Sequence, residues 1–138
     1  MVHRTARIAL RTTPARRRRC YGLLRSAGDV WAWVIDGNRQ LREQHRPEVA
    51  NFSALCRELT GTAFGELSRT CAEAVLKNYS TAFFEATRRQ KAGLRAGFPR
   101  RKRALVTVRF RFGCFAVEGS RVRLGVARGA PELWVRLG

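Results

Sequence analysis

A chain of 138 residues with 45% hydrophobic content is the size of one domain and too apolar to be a wholly disordered polymer. Its formal net charge of +18 costs stability through self-repulsion unless an anionic partner relieves it. No apolar run approaches the ~18 residues that a membrane span requires, and the start MVHRTARIALRTTPARRRR lacks the apolar core of a signal peptide.

The charge is unevenly placed. Residues 1–28 hold eight Arg and no acid, residues 29–85 hold eight acids against six bases, and residues 86–117 hold ten bases and again no acid. Two basic blocks therefore flank a near-neutral middle, and a fold that joins them makes one positive surface. All but Lys77, Lys91 and Lys102 of the 28 basic residues are Arg, whose planar guanidinium suits bidentate contact with phosphate or base edges.

In chain order, RTARIALR (Arg4 to Arg11) alternates, with Arg7 and Arg11 on one side and Ala6, Ile8 and Leu10 on the other. This pattern predicts a half-buried strand with Arg on its open face. Thr13 as N-cap and Pro14 at the first helical position start a helix expected to run to about Ser26, burying Cys20, Leu23, Leu24 and Ala27. Arg16 to Arg19 fan around it at ~100° per residue. A second helix is expected from about Asp29 to Gln44 with Val30, Trp31, Val34, Ile35, Asn38 and Leu41 at helical spacing, and a short third from Asn51. A fourth, about Ser68 to Arg89, carries the stripe Cys71, Val75, Leu76, Tyr79, Ala82, Phe83 and Ala86.

Gly93, Gly97 and Pro99 then break the helix within the basic run GLRAGFPRRKR. Short alternating runs follow, LVTVRFRF, CFAVEG, RVRLGV and ELWVRL, with Gly113, Gly119-Ser120 and Gly129 to Pro131 as turns. The order is strand, helical insertion, strands. Pairing of the first strand with the later ones is expected to bring the two basic blocks together.

No catalytic constellation is present in the pattern. Asp29 and Asp36 lie seven residues apart on one helix, ~10 Å along its axis, with no third ligand beside them. There is no GxSxG, Walker loop, GxGxxG or HExxH. Cys20, Cys56, Cys71 and Cys114 form no CxxC pair and have only His3 and His45 as helpers, which is poor zinc or disulfide spacing and reads as reduced, buried thiols. Nucleic-acid binding is the better-supported class: the Arg blocks supply phosphate contacts, and Phe110, Phe112 and Phe115 interleave with Arg, as stacking surfaces or as core.

Several segments resemble the N-terminal part of TnpB-type transposon proteins, the RNA-guided DNA nucleases related to small type V CRISPR effectors. ARIALRTTPARRRRCYGLLRSAGDVWAW follows that family's opening layout, with Trp31 at its Tyr, Gly28 in place of an Arg and Ala32 in place of an Asn. VLKNYSTAFFEA echoes its ALRDLDRAFKNF helix, GFPRRKR its GFPRFKSK, and FAVEGSRVRL its FRVEGGRVRL. The resemblance covers nearly the whole chain and is most specific at GFPR and VEG-x-RVRL.

The resemblance implies an α+β fold: a wedge-like partial β-barrel (residues 1–12 and 105–138) interrupted by a helical recognition insertion of three to four helices (13–92), with 93–104 as a basic connecting loop. It also implies binding of guide RNA and of target-adjacent DNA, cleavage residing in a RuvC-like domain beyond this region. The expectation is a cytoplasmic, nucleoid-associated, truncated or remnant protein with no catalytic residues, metal or cofactor. Arg4, Arg7, Arg11, Arg16, Arg17, Arg18, Arg19, Arg88, Arg89, Lys91, Arg95, Arg100, Arg101, Lys102 and Arg103 are its candidates for gripping RNA or DNA backbone. Lys77, Asn78, Ser80 and Thr81 are its candidates for base contacts. Half of a split nuclease, partnered by a separate nuclease chain, a stand-alone basic RNA-binding protein and a decayed reading frame are the alternatives.

Overall fold

Local capping chemistry sets the helix starts. In the computed structural model, which describes residues 6–101 and 104–138, Thr13 Oγ1 accepts from the Arg16 amide at 3.3 Å and Pro14 opens α1 (Pro14–Glu43). Asn51 caps α2 (Phe52–Leu59) through the Ala54 amide, and Ser68 caps α3 (Arg69–Lys91) through the Cys71 amide. Each side-chain oxygen satisfies an amide that the helix itself leaves unpaired.

α1 is a single helix of 30 residues, about 45 Å long, where two helices divided near Gly28 were expected. Gly28 is not a break. It is fully within α1 and buried, and a Cβ there would collide with the Ala104 carbonyl oxygen. Glycine stands here because the backbone of the return segment lies directly against the helix. Beside it, the Val106 amide donates to the Leu24 carbonyl at 3.1 Å.

The core is built from one face of each helix: Leu23, Ala27, Val30, Trp31 and Val34 of α1, Leu55 and Leu59 of α2, and Cys71, Val75, Leu76 and Tyr79 of α3. Burying each large side chain of this kind contributes roughly 1.5–3 kcal/mol. Trp31 meets Tyr79 edge-on with ring centroids 5.6 Å apart. Buried Asn38 donates to the Tyr79 hydroxyl (2.7 Å) and the Val49 carbonyl (2.9 Å) and accepts from the Val49 amide (2.8 Å), so the polar group inside the core is fully engaged. The expected stripe on α3 is buried except for Phe83, which is half-buried, and Ala82, which is exposed.

The sheet is antiparallel and open, in the order β1-β4-β3-β2, with β1 Leu10–Arg11, β2 Phe115–Glu118, β3 Arg121–Leu124 and β4 Leu133–Leu137. β2 and β3 form a hairpin over Gly119-Ser120, as the turn residues indicate. Leu133 joins the helical core, so helices and sheet share one interior. The fold is therefore mixed α+β, with three helices and four strands among the described residues.

Two strand expectations change. Among the described residues of the first run, only Leu10–Arg11 joins the ladder, with Leu137 and Arg136, and Ile8 and Leu10 are half-exposed at that edge. The LVTVRFRF run is extended without a ladder. Its alternation holds, with Val106, Val108 and Phe110 packed on the core and Thr107, Arg109 and Arg111 exposed. The segment lies against α1 in place of a neighbouring strand.

Candidate nucleic-acid interface

The return from α3 is pinned at successive points. Gly93 adopts φ 78°, the left-handed conformation that lets the Leu94 and Gly93 amides close back on the Arg89 and Gln90 carbonyls at 2.9 and 3.1 Å. Gln90 Nε2 then donates to the Ala96 carbonyl at 2.8 Å, Phe98 packs on Phe83 with centroids 5.1 Å apart, and Trp31 Nε1 donates to the Arg100 carbonyl at 2.7 Å. Ala104 meets Gly28 immediately beyond.

These anchors leave a groove of about 480 Å³ between α3 and the return segment, lined by Trp31, Asn78, Ala82, Pro99, Arg100, Arg101 and Arg109. Three exposed arginines line it together with an amide side chain and an indole. Asp36, paired with Arg101 at 3.9 Å and with Arg39 at 3.6 Å, is the carboxylate beside it. A larger cavity of about 590 Å³ between α1 and α2 is lined by both signs, Arg46 against Glu48 and Glu58, and offers a polyanion no net attraction.

The remaining candidates are dispersed. Arg4, Lys102 and Arg103 lie outside the described residues. Arg7, Arg11, Arg16, Arg17 and Arg18 are exposed at the start of the chain and of α1. The first turn of α1 has no acid, so Arg16 and Arg17 sit where the helix dipole disfavours positive charge by about 0.3–1 kcal/mol each. Arg19 is different: its Nε meets Glu66 Oε2 at 2.9 Å, and its terminal nitrogens donate to the Glu132 and Pro131 carbonyls at 3.1 and 2.6 Å. It ties α1 to the loop before β4 and is not available to grip a ligand.

Arg88 and Arg89 both pair with Glu85, and the Arg88 guanidinium holds that carboxyl below its ordinary value. Together with Lys91 they occupy the last turn of α3, where cations stabilise the helix end. Lys91 and Arg95 are exposed. The base-contact candidates separate by helix geometry: Asn78 enters the groove, Lys77 sits over the Phe52 ring at 5.1 Å, Thr81 is exposed, and Ser80 is buried in the helix packing and faces no solvent.

The sheet brings the first block to partners not anticipated from sequence. The register sets Arg11 opposite Arg136 and Arg136 opposite Arg121, while the second block runs along α1 and α3 instead of entering the sheet. Arg121, Arg123 and Arg136 of the sheet thus become candidates, and Arg109 joins the groove. The signal for them was the alternation of Arg with apolar residues in LVTVRFRF, RVRL and WVRL, which identifies a face but not its neighbours.

Among the described residues no group of three His, Cys, Asp or Glu side chains is placed to hold a metal ion, the four cysteines are free thiols, and no helix is long and apolar enough to cross a membrane. Comparisons with protein-family models, with curated proteins and with solved structures find no match for this chain.

Proposed function

We propose that this chain binds nucleic acid, using the groove between α3 and the return segment as its primary phosphate-binding surface. The observation that carries the reading is that exposed Arg100, Arg101 and Arg109 line one groove together with Asn78 and Trp31. Clustered guanidiniums favour bidentate phosphate contacts, and an adjacent amide favours a base edge. The acid-free first turn of α1 supports it as well, because an anion there relieves both the dipole and the Arg–Arg repulsion.

Within that class, the reading is a TnpB-like wedge and recognition region that grips guide-type RNA or target-adjacent DNA, without a nuclease site of its own and associated with the nucleoid in the cytoplasm. Its sheet is the start of a wedge barrel. The open edges β1 and β2, and the exposed Leu10, Phe115 and Val117 on the side of the sheet that carries the core residues, are what further strands would cover.

Crosslinking the protein to RNA in cells and sequencing what is bound tests the reading. Recovery of RNA from a transposon end is expected. Recovery of ribosomal RNA alone overturns the TnpB-like assignment in favour of a stand-alone RNA-binding protein, and recovery of no nucleic acid overturns the class.

A further inference from the structure

Residues paired across an antiparallel ladder point to the same face, so the register sorts the sheet into two sides. Val122, Leu124, Leu133 and Val135 lie on one side, toward the core. The other side carries the continuous row Arg11, Arg136, Arg121, Glu118 across all four strands, with Trp134 and Arg123 paired in the next row. All four arginines are exposed.

Three like charges directly opposite one another destabilise a sheet. Only the end of this row is neutralised, by Glu118 3.7 Å from Arg121; among the described residues Arg11 and Arg136 have no carboxylate within pairing distance. The row spans two strand spacings, about 9.5 Å. The Arg121 guanidinium lies over the Trp134 ring at 4.7 Å, Trp134 Nε1 donates to Glu132 Oε2 at 3.1 Å, and Arg123 pairs with the same Glu132 at 3.4 Å. The indole is therefore fixed in orientation and half-exposed beside the cations.

We infer that this face of the sheet is a second binding site, for a single-stranded nucleic acid whose phosphates lie along Arg11, Arg136 and Arg121 and whose bases stack at Trp134 and its guanidinium neighbours. A single strand fits because its base faces are free to stack, whereas in a duplex they are covered. This inference rests on the nucleic-acid reading but uses residues separate from the groove.

Fluorescein-labelled single-stranded RNA, single-stranded DNA, a duplex of the same sequence and inorganic polyphosphate are titrated against three proteins. These are the wild type, a sheet variant (Arg11→Gln, Arg121→Gln, Arg136→Gln) and a groove variant (Arg100→Gln, Arg101→Gln, Arg109→Gln). For single strands, the sheet variant should lose about 2 from the slope of log affinity against log salt, about 0.7 for each phosphate contact removed. Single-stranded probe should quench emission that is absent in Trp134→Phe, and the groove variant should keep that quenching. Removing base stacking with Trp134→Ala should weaken single-strand binding roughly 5- to 150-fold.

A sheet variant that binds single strands like the wild type, with Trp134 emission unchanged at saturation, overturns the site while leaving the groove standing. Equal losses for duplex or polyphosphate overturn the single-strand assignment. A wild type that binds none of the nucleic acids overturns both readings. If the triple variant does not fold, Arg136→Gln alone carries the test, with a slope change of about 0.7.

Discussion

Replacing Gly28 with Ala separates a helix-interior glycine from a docking glycine. In an ordinary helix interior the change stabilises by about 0.8–1 kcal/mol. At position 28 the new methyl meets a backbone carbonyl, which cannot rotate away, so α1 and the return segment must part. Overpacking of this kind costs about 1–3 kcal/mol, and weakening the 3.1 Å Val106–Leu24 hydrogen bond costs about 0.5–1.5 kcal/mol more. Set against the helix gain, the net loss is about 0.5–4 kcal/mol. Gly22 and Gly37 lie in the same helix with nothing within 4 Å of an added Cβ, and serve as controls. At roughly 4 °C per kcal/mol for a chain of this size, thermal melts should show Gly28→Ala falling by about 2–16 °C, while Gly22→Ala and Gly37→Ala rise by a few degrees. A Gly28→Ala protein that gains stability like the controls refutes the continuous α1 with its docked return segment.

Three further outcomes follow from other features of the fold. Arg19→Ala removes hydrogen bonds to Glu66, Pro131 and Glu132 and should cost about 1–2 kcal/mol in chemical denaturation, discounted for partial exposure. Arg17→Ala, exposed in the first turn, should hold or raise stability by about 0.3–1 kcal/mol while weakening nucleic-acid binding; the reverse ranking contradicts the assignment of Arg19 as a structural tie. Burial pushes the Cys71 thiol above its ordinary value of 9.0. The unfolded chain then ionises first, so this contribution is intact below pH 9.0 and is lost as pH climbs through the folded value. Melts across that window should show a smaller alkaline loss for Cys71→Ala than for the wild type, and equal losses would refute the burial effect.

Local signals were legible where the chemistry is local. Thr13, Pro14, Asn51 and Ser68 announced their helices, and the Cys71–Ala86 spacing gave the buried side of α3. β2, β3 and β4 followed from alternation and turn glycines. The expected division between Ser26 and Asp29 fell at Gly28 because a break and a close backbone approach look alike in sequence; only the carbonyl of Ala104, far along the chain, tells them apart. The 105–112 run alternates correctly, but alternation records which side is buried and not whether a ladder or a helix lies alongside. In the candidate site, Asn78, Arg100 and Arg101 were readable as polar and basic positions, and the structure adds Arg109. Arg19 looked like its three neighbours because its carbonyl partners lie more than a hundred residues away. The row of Arg11, Arg136 and Arg121 depends on strand order and register, which no stretch of sequence contains on its own.

The most direct measurement is the affinity of the wild type and of the groove variant Arg100→Gln, Arg101→Gln, Arg109→Gln for labelled RNA and duplex DNA as salt rises. With roughly six to ten phosphates neutralised, wild-type affinity should fall about 10³- to 10⁵-fold between about 50 and about 200 mM salt. The variant should bind more weakly, with its slope reduced by about 2–3. Binding that ignores salt, or a variant with the wild-type slope, would contradict a phosphate-gripping groove.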